Sequence, residues 1–171
     1  MTKLLASREA LLMVAIAFLL AIIAGRFPAF VVPSNLLAVF NDTSPLILLA
    51  IGQMIVILTK CIDLSVAANL ALTGMVVSLI NIAAPGLPVI FIVLIAMGFG
   101  TLLGMFNGIL VWKLAIPPIV VTLGTMTIFR GIIFLISDGK WVNSHEMSAP
   151  FKAFPRAELL GLPMLSWTAI L

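Results

Sequence analysis

Polar side chains recur at every fourth position in one otherwise apolar part of the sequence. Ser65, Asn69 and Thr73 are spaced so that an α-helix would place all three on one face. Hydroxyl and amide groups on such a face either hydrogen-bond to a neighbouring helix or line a path for a polar solute. The spacing leaves both uses open, and these three residues are the first candidate site residues.

A lysine and an aspartate lie three positions apart between two long apolar runs. Lys60 and Asp63 belong to the stretch KCIDLSV, with almost no loop sequence around them. This composition predicts a tight reversal between two helices. Asp63 falls near the predicted N-terminus of the second helix, where a carboxylate interacts favourably with the helix dipole and free backbone N–H groups. That structural role explains Asp63 without any further function.

Two further charges lie inside apolar runs. Asp42 belongs to the stretch NDTSP, in which Pro45 removes a backbone donor and predicts a broken helix. Arg130 lies in the stretch TMTIFRG of a later run. Because a charge at membrane depth is costly and is normally paired, Asp42 and Arg130 are candidate partners in a polar pathway. The alternative for Arg130 is that its long side chain reaches the aqueous interface.

Three glycines form a stripe on one predicted helix. Gly100, Gly104 and Gly108 follow one another at intervals of four residues. Small residues at this spacing let two helices approach closely in lipid. The stripe predicts helix packing and carries no chemistry of its own.

The sequence lacks the residue patterns of the common enzyme classes. It contains no H-E-x-x-H, G-x-S-x-G or P-loop motif, and its only cysteine and only histidine are Cys61 and His145. A single cysteine forms no internal disulfide and builds no thiolate metal site. The net charge of +3 is small and no basic cluster is present, which argues against nucleic-acid binding. We therefore predict no catalytic residues, no metal and no cofactor.

The composition is that of an integral membrane protein. The chain of 171 residues is 63% hydrophobic and 9% charged, with a mean hydropathy of +1.33, whereas soluble domains carry about 25% charged residues. A membrane-spanning helix needs about 20 mostly apolar residues. The predicted fold is an all-α membrane protein, a polytopic transmembrane helix bundle with five spans and the start of a sixth. The five predicted spans are Glu9–Gly25, Leu36–Leu58, Ile62–Asn81, Val89–Val111 and Ile119–Ser137.

The domain organisation follows from these spans. Residues 1–171 form one transmembrane domain, and residues 138–163 form a polar loop with Trp141 as an interfacial anchor. Lys3 and Arg8 before the first span favour a cytoplasmic N-terminus, which makes the loop extracytoplasmic. The last apolar stretch has eight residues, about 12 Å of helix. Either the chain is truncated within its sixth span or its last turn lies in the membrane interface, and we favour truncation.

Four stretches of the sequence resemble one family of transport proteins. The segments LAIGQMIVILTKCIDLSVAANLAL, GMFNGILV, KLAIPPIVVTLGTMTIFRGI and SDGKWV are similar to permease subunits of bacterial ABC sugar importers, in the branch that serves ribose, xylose, rhamnose and autoinducer-2. The resemblance covers roughly residues 36–142. One departure is Ala67, where the family usually has a glycine after IDLSV.

The resemblance implies a function and a set of partners. A permease of this kind would sit in the bacterial inner membrane and translocate a sugar or sugar-like signal. It would work with a second permease subunit, as a homodimer or heterodimer, with a cytoplasmic ATPase subunit that hydrolyses ATP, and with a periplasmic sugar-binding protein. The chain resembles the N-terminal half of such a permease and lacks the G-R-x-x-x-A-x-G-x-N-like stretch of the second half.

Two other functions stay open on the sequence. The chain could be a non-transporting membrane fragment left by truncation of a gene. It could also be an ion-coupled secondary carrier, although such a carrier would be expected to hold more acidic residues in its spans than Asp42 alone.

Overall fold

The computed structural model describes residues 8–170, and its long elements are helices. The described α-helices are α1 Arg8–Arg26, α2 Pro33–Leu58, α3 Val66–Ala83, α4 Val89–Leu114, α5 Pro118–Ser137, α6 Ala149–Ala153 and α7 Met164–Ile170. Short 3₁₀ helices cover Pro28–Val31 and Phe154–Arg156, and a small antiparallel hairpin pairs β1 Glu158–Leu159 with β2 Leu162–Pro163. The predicted class, an all-α polytopic membrane protein, is confirmed.

The number of spans is lower than predicted. Within residues 8–170, four helices are long and apolar enough to cross a membrane, namely α2, α3, α4 and α5. The described apolar part of α1, Ala10–Arg26, is shorter and reaches about 25 Å against a hydrocarbon thickness of about 30 Å. Helix α7 has seven residues, about 10 Å. The predicted count of five full spans is therefore too high for the described residues, and the start of a sixth span at α7 stays a prediction.

The chain divides into two compact units between Ser44 and Pro45, inside α2. The first unit contains α1, the 3₁₀ helix Pro28–Val31 and the beginning of α2. The 3₁₀ helix begins at Pro28 and α2 begins at Pro33. Proline suits the first position of a helix because its ring fixes φ and because the N–H of a first-turn residue has no helical partner. The side-chain amide of Asn35 donates to the carbonyl of Phe30 at 2.9 Å and fastens the 3₁₀ helix to α2.

Pro45 does not break α2. The helix runs from Pro33 to Leu58 with Pro45 in its interior, so the predicted break is wrong. Hydroxyl groups just before the proline bond back onto the helix: Ser44 Oγ donates to the Phe40 carbonyl at 2.9 Å, and Thr43 Oγ1 donates to the Val39 carbonyl at 2.7 Å. Both bonds support the turn of α2 that precedes the proline.

The second unit is organised around α3, which packs against both α4 and α5. Ala68 and Leu72 of α3 are buried against Phe129 of α5. Phe99 and Leu103 of α4 cover this cluster from another side. The helices are joined by short connections, so neighbouring helices run in opposite directions.

Helix α3 begins later than predicted. Its first residue is Val66, with Ser65 as the N-cap, whereas the apolar run predicted a start at Ile62. Residues 62–65 are not helical because the Asp63 carboxylate accepts hydrogen bonds within this segment, and such local bonds compete with the helical pattern.

The polar loop of residues 138–163 is held to the helices. Asn81, at the end of α3, makes two hydrogen bonds with Ser148: its Nδ2 donates to Ser148 Oγ at 2.9 Å, and its Oδ1 accepts from the Ser148 N–H at 2.8 Å. Within the loop, the N–H of Asn143 donates to Glu146 Oε2 at 2.6 Å, and this bond lowers the pKa of Glu146. Trp141 is 87% exposed and His145 is also exposed.

Candidate functional site

The segment between α2 and α3, Thr59–Ser65, is called the reversal segment here. Helix α2 ends in a Schellman motif, in which Lys60 adopts the left-handed conformation (φ 61°). The N–H groups of Lys60 and Cys61 donate to the carbonyls of Ile57 and Val56 at 2.8 and 3.3 Å. The reversal predicted from Lys60 and Asp63 is therefore a defined turn.

Asp63 organises the start of α3. Its Oδ1 accepts two hydrogen bonds from Ser65, one from the backbone N–H and one from the hydroxyl, both at 2.7 Å. This turn lies directly before the first helical residue, Val66. The carboxylate thus supports the N-terminus of α3, as its position in the sequence predicts.

Three helices donate hydrogen bonds to the reversal segment. From α2, Gln53 Nε2 donates to the Asp63 carbonyl at 3.3 Å. From α4, Asn107 Nδ2 donates to Ser65 Oγ at 2.7 Å, in a bond buried from solvent. From α5, Thr122 Oγ1 contacts the Ile62 carbonyl at 3.4 Å in addition to its bond to Pro118 within the helix. The reversal segment is therefore where α2, α4 and α5 converge.

A cleft of about 210 Å³ opens beside these bonds. We call it the reversal cleft. Two buried amide oxygens near the reversal segment, Asn107 Oδ1 and Gln53 Oε1, have no hydrogen-bond partner among residues 8–170. Asn107 itself lines the cleft. The lining residues are Val56, Thr59, Cys61, Ile62, Asp63, Gly104, Asn107, Gly108, Val111, Pro118 and Thr122.

The predicted polar face of α3 is divided between two roles. Ser65 lies at the N-cap and belongs to the network of the reversal segment. Further along, Asn69 Nδ2 donates to the Gly100 carbonyl of α4 at 3.2 Å, and Thr73 Oγ1 donates to Asn69 Oδ1 at 3.2 Å. Asn69 and Thr73 also line a second cleft of about 250 Å³, together with Leu49, Val66, Leu70 and Gly100. A role of this face in a substrate pathway stays a prediction.

The three glycines of α4 have different surroundings. A Cβ added at Gly100 would lie 3.6 Å from Thr73 Oγ1 and 3.7 Å from Asn69 Oδ1, so α3 approaches α4 closely here. Cβ atoms added at Gly104 and Gly108 would meet nothing within 4 Å in the described part of the chain. Both of these glycines instead line the reversal cleft. Helix packing through the whole stripe stays a prediction.

The predicted pair of charges is not brought together within one unit. Asp42 lies in the first unit, where its side chain is exposed, and Arg130 lies in the second. Arg130 is also exposed and lines a cleft of about 280 Å³ with Lys140 and Trp141 near the end of α5. Pairing of Asp42 with Arg130, and their part in a pathway, stay predictions.

Sequence reasoning missed the three residues that hold the reversal segment. Gln53, Asn107 and Thr122 each lie in an apolar run, at the end that faces the reversal. Asn107 had the clearest signal, because it is the only amide side chain in α4 and lies between two glycines of the stripe. Periodicity within one helix did not reveal these residues, since their partners lie on other helices. In the described part of the chain, no three His, Cys, Asp or Glu side chains cluster as a metal site would require.

Comparison with known proteins identifies a matching family. Over residues 35–157, the sequence matches the family described as "Branched-chain amino acid transport system / permease component". This range includes the reversal segment and the residues that hold it. No solved structure matches the chain.

Several curated proteins are similar along most of the chain. The autoinducer 2 import system permease protein LsrC of Enterobacter sp. (strain 638) is 35% identical over 170 residues, which cover 99% of this chain and 48% of that protein. The protein of the same name from Salmonella typhi is 34% identical and covers 94% of this chain and 45% of its own length. That of Escherichia coli (strain K12 / DH10B) is 36% identical, over 80% and 39%. The chain thus spans less than half the length of these relatives.

Proposed function

The chain belongs to the family of branched-chain amino acid transport system permease components, and from this premise we propose that it acts in the membrane-spanning permease of an ATP-driven importer. The observation that carries the proposal is the match of the family over residues 35–157, which contain all four helices of spanning length except the first two residues of α2. The chain is accordingly a multi-pass membrane protein with a role in transport.

The proposed cargo is autoinducer 2 or a related sugar-like solute such as rhamnose, ribose or xylose. The cargo named for the three similar proteins is autoinducer 2. Neutral amides and hydroxyls prevail among the polar residues of the two clefts, with Asp63 as the one acidic residue among them. Groups of this type exchange hydrogen bonds with a neutral polyhydroxylated solute.

The proposed importer needs partners. A cytoplasmic ATPase subunit would hydrolyse ATP, a periplasmic binding protein would deliver the cargo, and a second permease subunit would complete the pore. We place the assembly in the bacterial inner membrane, with the reversal segment on the cytoplasmic side and the loop of residues 138–163 outside. A cytoplasmic N-terminus, as the sequence predicts, would require α1 to cross the membrane as well. In this orientation the reversal segment lies at the inner mouth of the pathway, towards the ATPase subunit.

Uptake of radiolabelled autoinducer 2 tests the proposal. Cells without an importer of their own would express the chain with its binding protein, second permease and ATPase subunit, and matched cells would lack only the ATPase subunit. We expect saturable uptake in the first strain and none in the second. Uptake that persists without the ATPase subunit and is abolished by a protonophore would identify an ion-coupled carrier. No uptake in either strain would favour a non-transporting membrane protein.

Co-purification tests the partners separately. The chain would be captured from membranes through an affinity tag, and the proteins that accompany it would be identified by mass spectrometry. We expect an ATPase subunit and a permease, which is either a second copy of this chain or a different one. Recovery of the chain without any ATPase subunit would contradict the proposal.

A further inference from the structure

The hydrogen-bond network beside the reversal cleft has a defined direction. The Asp63 carboxylate only accepts hydrogen bonds, so the hydroxyl of Ser65 must use its proton to donate to Asp63 Oδ1. Ser65 Oγ therefore accepts at its other contact, and the Asn107 side chain must present its NH₂ group there. This order fixes the orientation of the Asn107 amide, which leaves its Oδ1 as an acceptor.

That acceptor has no partner in the described part of the chain. Asn107 is only 4% exposed, and its Oδ1 is fully buried without a hydrogen bond. A buried polar atom without a partner costs about 1–3 kcal/mol, so native proteins normally satisfy it with a bound group. Because the atom is an acceptor, the group that satisfies it must carry a hydrogen-bond donor.

The space next to Asn107 is large enough for more than a single water. The reversal cleft holds about 210 Å³, against about 30 Å³ for one water in the liquid. Gly104 and Gly108 flank Asn107 on α4 and line the same cleft, and Cβ atoms added to either would meet no atom of residues 8–170 within 4 Å. The absence of side chains at these two positions keeps the cleft open beside the acceptor.

We infer that the reversal cleft is a binding site for a small neutral polyhydroxylated solute, one hydroxyl of which donates to Asn107 Oδ1. This inference rests on the proposed function and adds a subsite for its cargo. A neutral donor fits better than a cation, because amides and hydroxyls prevail among the polar residues that line the cleft, with Asp63 as the one acidic residue among the described lining residues.

The only cysteine of the chain reports on this site. Cys61 is a free, partly exposed thiol that lines the reversal cleft. Full-length protein, purified in detergent so that both membrane faces are accessible, would react with N-ethylmaleimide, and mass spectrometry would follow the rate. A solute in the cleft slows this reaction by about 1 + [L]/Kd, which is about threefold at twice the Kd. The probes are autoinducer 2 and D-ribose, and tetrahydrofuran serves as a ring ether without hydroxyl donors.

We expect autoinducer 2 or D-ribose to protect Cys61 in the unmodified protein, and tetrahydrofuran to give no protection. Asn107→Leu should abolish protection, measured as the ratio of that variant's own reaction rates with and without solute. The matched control is Thr125→Val, since Thr125 is buried in the same helix bundle, bonds to the Val121 and Thr122 carbonyls of its own helix, and is not among the described residues that line the cleft. This control should keep full protection.

A second variant covers the case in which Asn107→Leu does not fold. Gly104→Leu fills the cleft from a position where an added Cβ has no described neighbour within 4 Å, and it should also abolish protection. Absence of protection in the unmodified protein would mean that water alone satisfies Asn107, and equal protection in Asn107→Leu would place the solute elsewhere. Either result overturns the inference even where uptake is intact. Protection without uptake would instead contradict the proposed transport function and leave the site standing.

Discussion

Asp63 and Ser65 show how a few polar residues shape an apolar chain. Asp63 Oδ1 accepts both hydrogen bonds of Ser65, and Ser65 Oγ accepts from Asn107. The carboxylate therefore fixes the start of α3 and, through Ser65, the amide orientation of a residue on α4. The local role of Asp63 was predictable from sequence position alone. The contact with Asn107 was not, because the two residues of that bond are 42 positions apart.

Replacement of Asp63 tests its structural role. Asp63→Ala removes the acceptor for the N–H and hydroxyl of Ser65, and we expect the free energy of unfolding to fall by about 1–2 kcal/mol. Asp63→Asn keeps a side-chain oxygen at the same place and is expected to lose less than half as much. Unfolding in mixed detergent micelles, followed by circular dichroism, gives both values. Equal losses in the two variants would show that the charge, and not the turn, matters.

Replacement of Asn69 separates packing from transport. Asn69 donates to the Gly100 carbonyl and also lines the second cleft, so both uses of the α3 face meet in this residue. We expect Asn69→Leu to lower uptake of autoinducer 2 about tenfold, equivalent to about 1.4 kcal/mol, while the amount of protein in the membrane changes little. Thr127→Val is the control, because Thr127 is exposed and bonds only within α5. Parallel losses of uptake and protein would assign Asn69 to packing alone.

At the scale of elements, apolar runs predicted the central helices and several of their ends, but not all of them. Helices α4 and α5 begin within a residue of prediction because proline marks their starts. Helix α3 begins four residues late, since hydropathy does not register the turn at Asp63. Helix α2 continues through Pro45, although the simple rule for proline predicts a break there.

The attachment of the polar loop to α3 can be measured as a coupling between two residues. Asn81 and Ser148 share two hydrogen bonds over 67 positions of sequence. In a double-mutant cycle of Asn81→Ala and Ser148→Ala, we expect a coupling energy of about 1–2 kcal/mol in the free energy of unfolding. Each variant should also speed tryptic cleavage within the loop at Lys152 and Arg156. His145→Ala is the control, since His145 is exposed in the same loop. Additive effects of the two substitutions would show that Asn81 and Ser148 are not coupled.

At the scale of the whole molecule, composition predicted a membrane protein but not how many helices cross. The described apolar part of α1 is near the lower limit of length for a membrane-spanning helix. Its hydropathy therefore predicts a span, whereas its length falls short of one. The convergence of α2, α4 and α5 on the reversal segment also depends on tertiary contacts that no single run encodes. The four long helices do predict which of the connections between them lie on the same side of the membrane and which lie on opposite sides.

The reversal segment and the polar loop are predicted to lie on opposite faces of the membrane. Three helices, α3, α4 and α5, separate them, and an odd number of crossings changes the face. In right-side-out spheroplasts, a membrane-impermeant maleimide should label a His145→Cys variant in a Cys61→Ser background, because His145 is exposed in the loop. The native Cys61 should react only after lysis. Labelling of both sites from the same face would show that one of these three helices does not cross. Labelling of Cys61 alone in intact spheroplasts would be consistent with three crossings but would reverse the proposed orientation.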